Sequence, residues 1–113
     1  MHEAALAEGI LIIALEAAKT NGATKISEVG LIIGEMAGVE LSSLEFSFRM
    51  AARLTAAENA KLVTEKKPLI GKCSLCGQEI HLQEYNFFCP ACKEGVLEII
   101  SGREMRVAYV EAD

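Results

Sequence analysis

The chain has 113 residues, about half of them apolar, with four Phe, two Tyr and no Trp. That is enough for one mostly aliphatic domain, or one domain and a small module. Sixteen acidic against eleven basic residues give a net charge of -5, which argues against a protein that grips nucleic acid through its phosphates.

The start, Met1-His2-Glu3, carries no basic segment of the kind that opens a signal peptide. The apolar run from Ala4 to Ala18 is interrupted by Glu8 and Glu16, and it falls short of the ~20 apolar residues of a membrane span. The expectation is a cytoplasmic protein with no membrane partner. Residues 3–22 predict a helix: Leu6, Ile10, Ile13 and Ala17 follow the 3–4 spacing, and Leu11 and Leu15 widen the face. Glu3 and Lys19 suit the two ends of its macrodipole, and Asn21-Gly22 supplies a left-handed stop.

A strand is expected from about Lys25 to Gly34, with Val29, Leu31 and Ile33 on one face and Ile32 on the other. Ser42-Ser43-Leu44-Glu45 has the form of a capping box, predicting a second helix that buries Leu44, Phe48 and Ala51 or Ala52. Residues 61–67 alternate as a second strand that Pro68 ends. Residues 103–111 alternate as a last strand. A strand needs a sheet, so this one is expected to rejoin the first two. The fold class is therefore α+β: two helices packed on a small three-stranded sheet, with an inserted zinc-ribbon-like domain. The expected division is residues 1–68 plus 101–113 for the first domain and 69–100 for the insertion.

The insertion holds every cysteine: Cys73-Ser-Leu-Cys76, twelve residues, then Cys89-Pro-Ala-Cys92. Two residues between thiolates let one tight turn aim both sulfurs at one ion, and two such knuckles make a zinc-ribbon spacing. Four thiolates close the tetrahedron and leave no position for substrate, so the metal is structural. Without an export signal, disulfides are the weaker reading. A rubredoxin-type iron site uses the same ligands, and spacing does not distinguish the two metals. His81, between the knuckles, reads as a solvent-facing histidine in a hairpin rather than as a substitute ligand.

His2 follows the initiator methionine. An α-amine, a backbone amide nitrogen and an imidazole can converge on one ion, and such nitrogen donors suit Ni(II) or Cu(II). On its own a histidine at position 2 is weak ground for a site, and Glu3 serves equally as a first-turn helix carboxylate. A zinc-ribbon module in a transcription or RNA-processing assembly would explain the cysteines too, but not His2 or the α/β portion.

Longer matches carry more. Met1-His2-Glu3 before a long helix, Ile33-Gly34-Glu35 with Gly38-Val39-Glu40, Leu44-Glu45-Phe46-Ser47-Phe48, the paired CxxC knuckles and Gly102-Arg103-Glu104-Met105-Arg106 occur in order. Together they resemble the HypA/HybF family of nickel metallochaperones for [NiFe]-hydrogenase maturation, over residues 1 to about 111. The resemblance implies a carrier, not an enzyme. It implies nickel, Ni(2+), bound around His2, with Met1 and Glu3 as neighbours and a carboxylate at Glu40. It also implies structural zinc, Zn(2+), on Cys73, Cys76, Cys89 and Cys92. The implied partners are a nickel-handling hydrogenase-maturation GTPase and the immature large subunit of a [NiFe]-hydrogenase. Some members of the family also serve urease. Gly77 and Lys93 follow the two knuckles where some members have a histidine, so acid-triggered ligand exchange is not expected. A monomer is the default.

Overall fold

The computed structural model describes residues 3–82 and 86–113. Met1 and His2, the expected centre of the nickel site, lie outside the described residues, as do residues 83–85. The elements are α1 (Glu3–Thr20), β1 (Ile26–Gly34), a 3-10 turn (Glu35–Ala37), α2 (Leu41–Ala51), β2 (Lys61–Lys67), β3 (Ile70–Cys73), β4 (Glu79–His81), β5 (Leu97–Ser101) and β6 (Met105–Ala112).

Two three-stranded sheets form, ordered β2-β1-β6 and β4-β3-β5. β1 runs parallel to β2, with α2 in the crossover, and antiparallel to β6. The last strand thus rejoins the first sheet, as its pattern predicted. Strict alternation along β6 does not hold: Gly30 pairs with Tyr109 but Leu31 with Val107, so Ala108 is an extra residue. This bulge lets Val107 and Val110 both pack on the core while the Tyr109 ring lies across Gly30, where an added Cβ would come within 1.9 Å of it.

The core of this half comes from Ala7, Ile10, Leu11, Ala14 and Ala18 of α1, Ile26, Val29, Leu31 and Ile33 of β1, and Leu44 and Phe48 of α2. The buried face of α1 is therefore rotated from the expected one: Ile13 is 51% exposed, while Ala7, Ala14 and Ala18 are buried. The reason is room. Alanines let α1 approach α2 and the sheet closely, and bulky Ile13 is left at the helix edge beside Met105 and Val107. Gly22 takes the left-handed conformation (φ 70°), and Ala23 N–H donates to the Ala18 carbonyl, closing α1 as Asn21-Gly22 predicted. Among the described residues no helix is long and apolar enough to cross a membrane.

The start of α2 departs from the expected capping box. Its N-cap is Glu40, whose carboxylate accepts the N–H groups of Ser42 and Ser43. With a carboxylate already placed at the cap, Ser42 lies inside the first turn, and its hydroxyl bonds to Glu40 instead.

The two sheets meet at a joint where the chain crosses twice. Gly34 N–H donates to the Glu104 carbonyl (2.6 Å) and Met36 N–H to the Gly102 carbonyl (2.9 Å). A Cβ on Gly34 would meet the Gly102 oxygen at 2.1 Å, and one on Gly102 (φ 113°) would meet Leu69 Cα at 2.6 Å. Glycine is needed at both crossings for close approach. The molecule extends 55 × 26 × 16 Å with a radius of gyration of 17.7 Å, above the roughly 13 Å of one compact body this long.

Candidate metal centre

The knuckles fold alike. Gly77 N–H donates to the Cys73 carbonyl (3.1 Å) and Lys93 N–H to the Cys89 carbonyl (2.9 Å). Gly77 and Lys93 are both left-handed, at φ 76° and 65°. Glycine adopts that conformation freely; lysine does so at a cost of about 1–2 kcal/mol.

β3 delivers the first knuckle, and the turn before β5 delivers the second. All four sulfurs lie within 4.8 Å of one another. Cys73 Sγ is 3.6 Å from Cys92 Sγ, and Cys76 Sγ is 3.8 Å from Cys89 Sγ. A disulfide requires about 2.05 Å, so neither pair is bonded. A tetrahedral ion with metal–sulfur bonds of ~2.3 Å sets its sulfurs ~3.8 Å apart, and those two pairs stand at about that distance. Backbone amides face the sulfurs as well: Leu75 and Cys76 N–H donate to Cys73 Sγ, and Gly95 N–H to Cys92 Sγ, each at 3.4 Å.

These amides act unevenly on the thiols. The Cys76 backbone N–H, ahead of the other donors, draws the Cys73 thiol down to about 6. Cys76 goes up to about 11: the Gln78 amide favours its thiolate, but the Cys73 sulfur beside it and desolvation outweigh that help. Thiolates this close cannot all ionise without a cation among them. Cys73 and Cys89 are buried and Cys76 is exposed. The cluster is the four cysteines alone among the described residues; His81 is not part of it.

Gly95 is a residue the sequence reading missed. A Cβ there would stand 2.2 Å from Cys73 Sγ, so only glycine leaves room for that sulfur. The available signal was a glycine three positions past the last cysteine, in Lys93-Glu94-Gly95.

A second set of predicted residues converges at the far end of the first sheet's helices. Glu40 N–H donates to Glu3 Oε2 at 3.1 Å, joining the start of α1 to the start of α2. Glu40's own carboxylate accepts Ser42 N–H (3.2 Å), Ser42 O–H (2.8 Å) and Ser43 N–H (2.7 Å). The Ser42 and Ser43 donors hold that carboxyl down at about 2. The Glu40 amide likewise lowers Glu3.

Glu35 also gained a role that its motif did not disclose. Its Oε1 accepts Leu69 N–H (2.8 Å) and lies 2.9 Å from His81 Nε2. These bonds, His81's first, lower its pKa. His81 is exposed as expected, yet it is tied to the other half of the molecule instead of facing solvent alone.

A small α+β fold with four cysteine sulfurs gathered on a zinc-ribbon-like insertion defines a metal-binding protein. Residues 1–112 match the family model described as hydrogenase/urease nickel incorporation, metallochaperone, hypA. The chain is 39% identical over 107 residues to the hydrogenase maturation factor HypA of Chlorobaculum tepidum, covering 95% of each chain. It is 35% identical over 110 residues to that of Chlorobaculum parvum, covering 97% of each. In fold it resembles the solution structure of the Ni metallochaperone HypA from Helicobacter pylori, with a TM-score of 0.69, 24% identity, and coverage of 99% of this chain and 97% of that one. The chain belongs to the HypA family, a family of metallochaperones and not of enzymes.

Proposed function

We propose that this chain collects Ni(II) at its N-terminus and delivers it, with a maturation GTPase, to the immature large subunit of a [NiFe]-hydrogenase in the cytoplasm. Nickel is cargo. The Met1 amine and the His2 imidazole supply nitrogen donors, with the Glu3 and Glu40 carboxylates as their acidic neighbours. Zinc is resident, held by Cys73, Cys76, Cys89 and Cys92 in a domain of residues 69–100 inserted into a nickel-binding domain of residues 1–68 plus 101–113. The protein acts as a monomer.

The observation that carries this reading is the contrast between the two sites. Four thiolates spaced for one tetrahedral ion form a closed cage that keeps its metal. The Glu3–Glu40 contact instead sits at a chain end, where few ligands are held by the fold and a partner's groups can replace them one at a time. That lability is what a carrier needs. Selectivity for nickel does not come from affinity, since copper binds nitrogen donors more tightly; geometry and the choice of partner must supply it.

The test is a calorimetric titration of Ni(II) into zinc-loaded protein with its native N-terminus, followed by total metal analysis. One equivalent of nickel is expected with zinc retained, and none in His2→Ala. Normal nickel binding by His2→Ala would overturn the N-terminal assignment. A coloured protein with iron in place of zinc would overturn the assignment of the cage.

A further inference from the structure

Glutamate is an uncommon choice at a helix N-cap, where serine, threonine, aspartate and asparagine lead because their short side chains reach back to the N2 and N3 amides. Glu40 nevertheless occupies that position, with extended backbone (φ -86°, ψ 109°). Its longer side chain folds back over the first turn of α2. Oε1 accepts Ser42 N–H, Oε2 accepts Ser43 N–H, and the Ser42 hydroxyl lies within 2.8 Å of the first oxygen and 2.7 Å of the second. Both oxygens are turned onto the helix end, where the dipole also favours the negative charge. What Glu40 offers to the start of α1 is its backbone N–H, given to Glu3 Oε2.

From this arrangement, and resting on the N-terminal nickel reading, we infer that Glu40 is a positioning residue and not a nickel ligand: it caps α2 with its carboxylate and holds Glu3 in place with its amide. For the Glu40 carboxylate to reach an ion it would have to release Ser42 and Ser43, leaving two helix-end donors without partners. Glu3 then supplies the site's carboxylate, and α2 sets where that carboxylate stands.

Capping and ligation separate cleanly by substitution. Serine caps well and has no carboxylate; alanine does neither. The experiment titrates Ni(II) into zinc-loaded Glu40→Ser, Glu40→Ala and His2→Ala proteins with native N-termini, and records nickel X-ray absorption spectra of those that bind. Glu40→Ser should bind within about two-fold of the native affinity, with an unchanged spectrum, while Glu40→Ala weakens further, by up to roughly five-fold if the whole ~1 kcal/mol of a lost cap is felt at the site. Equal or greater loss in Glu40→Ser, with an oxygen neighbour missing from its spectrum, overturns the inference while the N-terminal reading stands. Nickel binding that survives His2→Ala overturns that reading and the inference with it.

Discussion

The two halves of this molecule hold themselves together by different means. The first sheet and its helices bury Ile26, Val29, Leu44 and Phe48 almost completely, and each such side chain contributes roughly 1.5–3 kcal/mol of apolar burial. The insertion buries Leu69, Leu82 and Leu97, with Cys73 and Cys89 making up its core cluster. Ile80, Phe87 and Ile99 pack on it only partly buried, so this apolar core is small, and a metal ion bound by the four cysteines would add the cross-link it lacks. One half is held by its hydrophobic core. The other is a metal site that has become a fold.

The largest effect should come from removing the metal. Cys73→Ala, or strong chelation, is expected to empty the cage and release residues 69–100, because structural zinc is worth about 10–16 kcal/mol to small domains. Metal analysis and amide hydrogen exchange would check it; exchange that stays slow in β3–β5 would break the comparison. Leu44→Ala makes the opposite cut. Leu44 is fully buried under the first sheet, and the substitution should cost about 2–5 kcal/mol with the metal content unchanged. Gly95→Ala drives a methyl toward Cys73 Sγ and should cost about 1–3 kcal/mol through strain, seen as weaker metal retention in a competition assay with the first sheet untouched.

The smallest effect concerns pH. Glu40 is lowered to about 2 from an ordinary 4.5, so its contribution is complete above pH 4.5 and disappears as pH falls through about 2. Protection of the Ser43 amide should therefore persist at pH 3 and fade near pH 2. Fading already near pH 4.5 would mean that the cap is not formed.

Long-period features were legible in the sequence. The 61–67 strand, the face of Val29, Leu31 and Ile33, and the knuckle spacing all came out as read, because each repeats a single local rule. The misreadings arose where distant residues decide. Which face of α1 is buried depended on how close α2 stands, and the shift at Ala108 in β6 depended on Tyr109 crossing Gly30. The cap of α2 went to Glu40 over Ser42 because a longer side chain can also reach the first turn. Gly95 and the Glu35–His81 bond were hidden for a related reason: each meets its partner across the fold. For Met1 and His2 the donor chemistry alone was weak ground and the resemblance carried the expectation; both lie outside the described residues.

The joint at Gly34 and Gly102 has a consequence for assembly. β6 follows the cysteine insertion in the chain, yet it completes the first sheet beside β1. Without a metal to gather the knuckles, residues 68–104 would count as one long loop whose closure opposes the pairing of β6. With the knuckles gathered by a metal, the same stretch would act as a short bridge between Pro68 and Glu104, where the Ser101 hydroxyl donates to the Pro68 carbonyl. By loop-length scaling this shortening is worth about 2 kcal/mol. A metal held by the four cysteines would then act as a tether for the strand that completes the first sheet, without touching it.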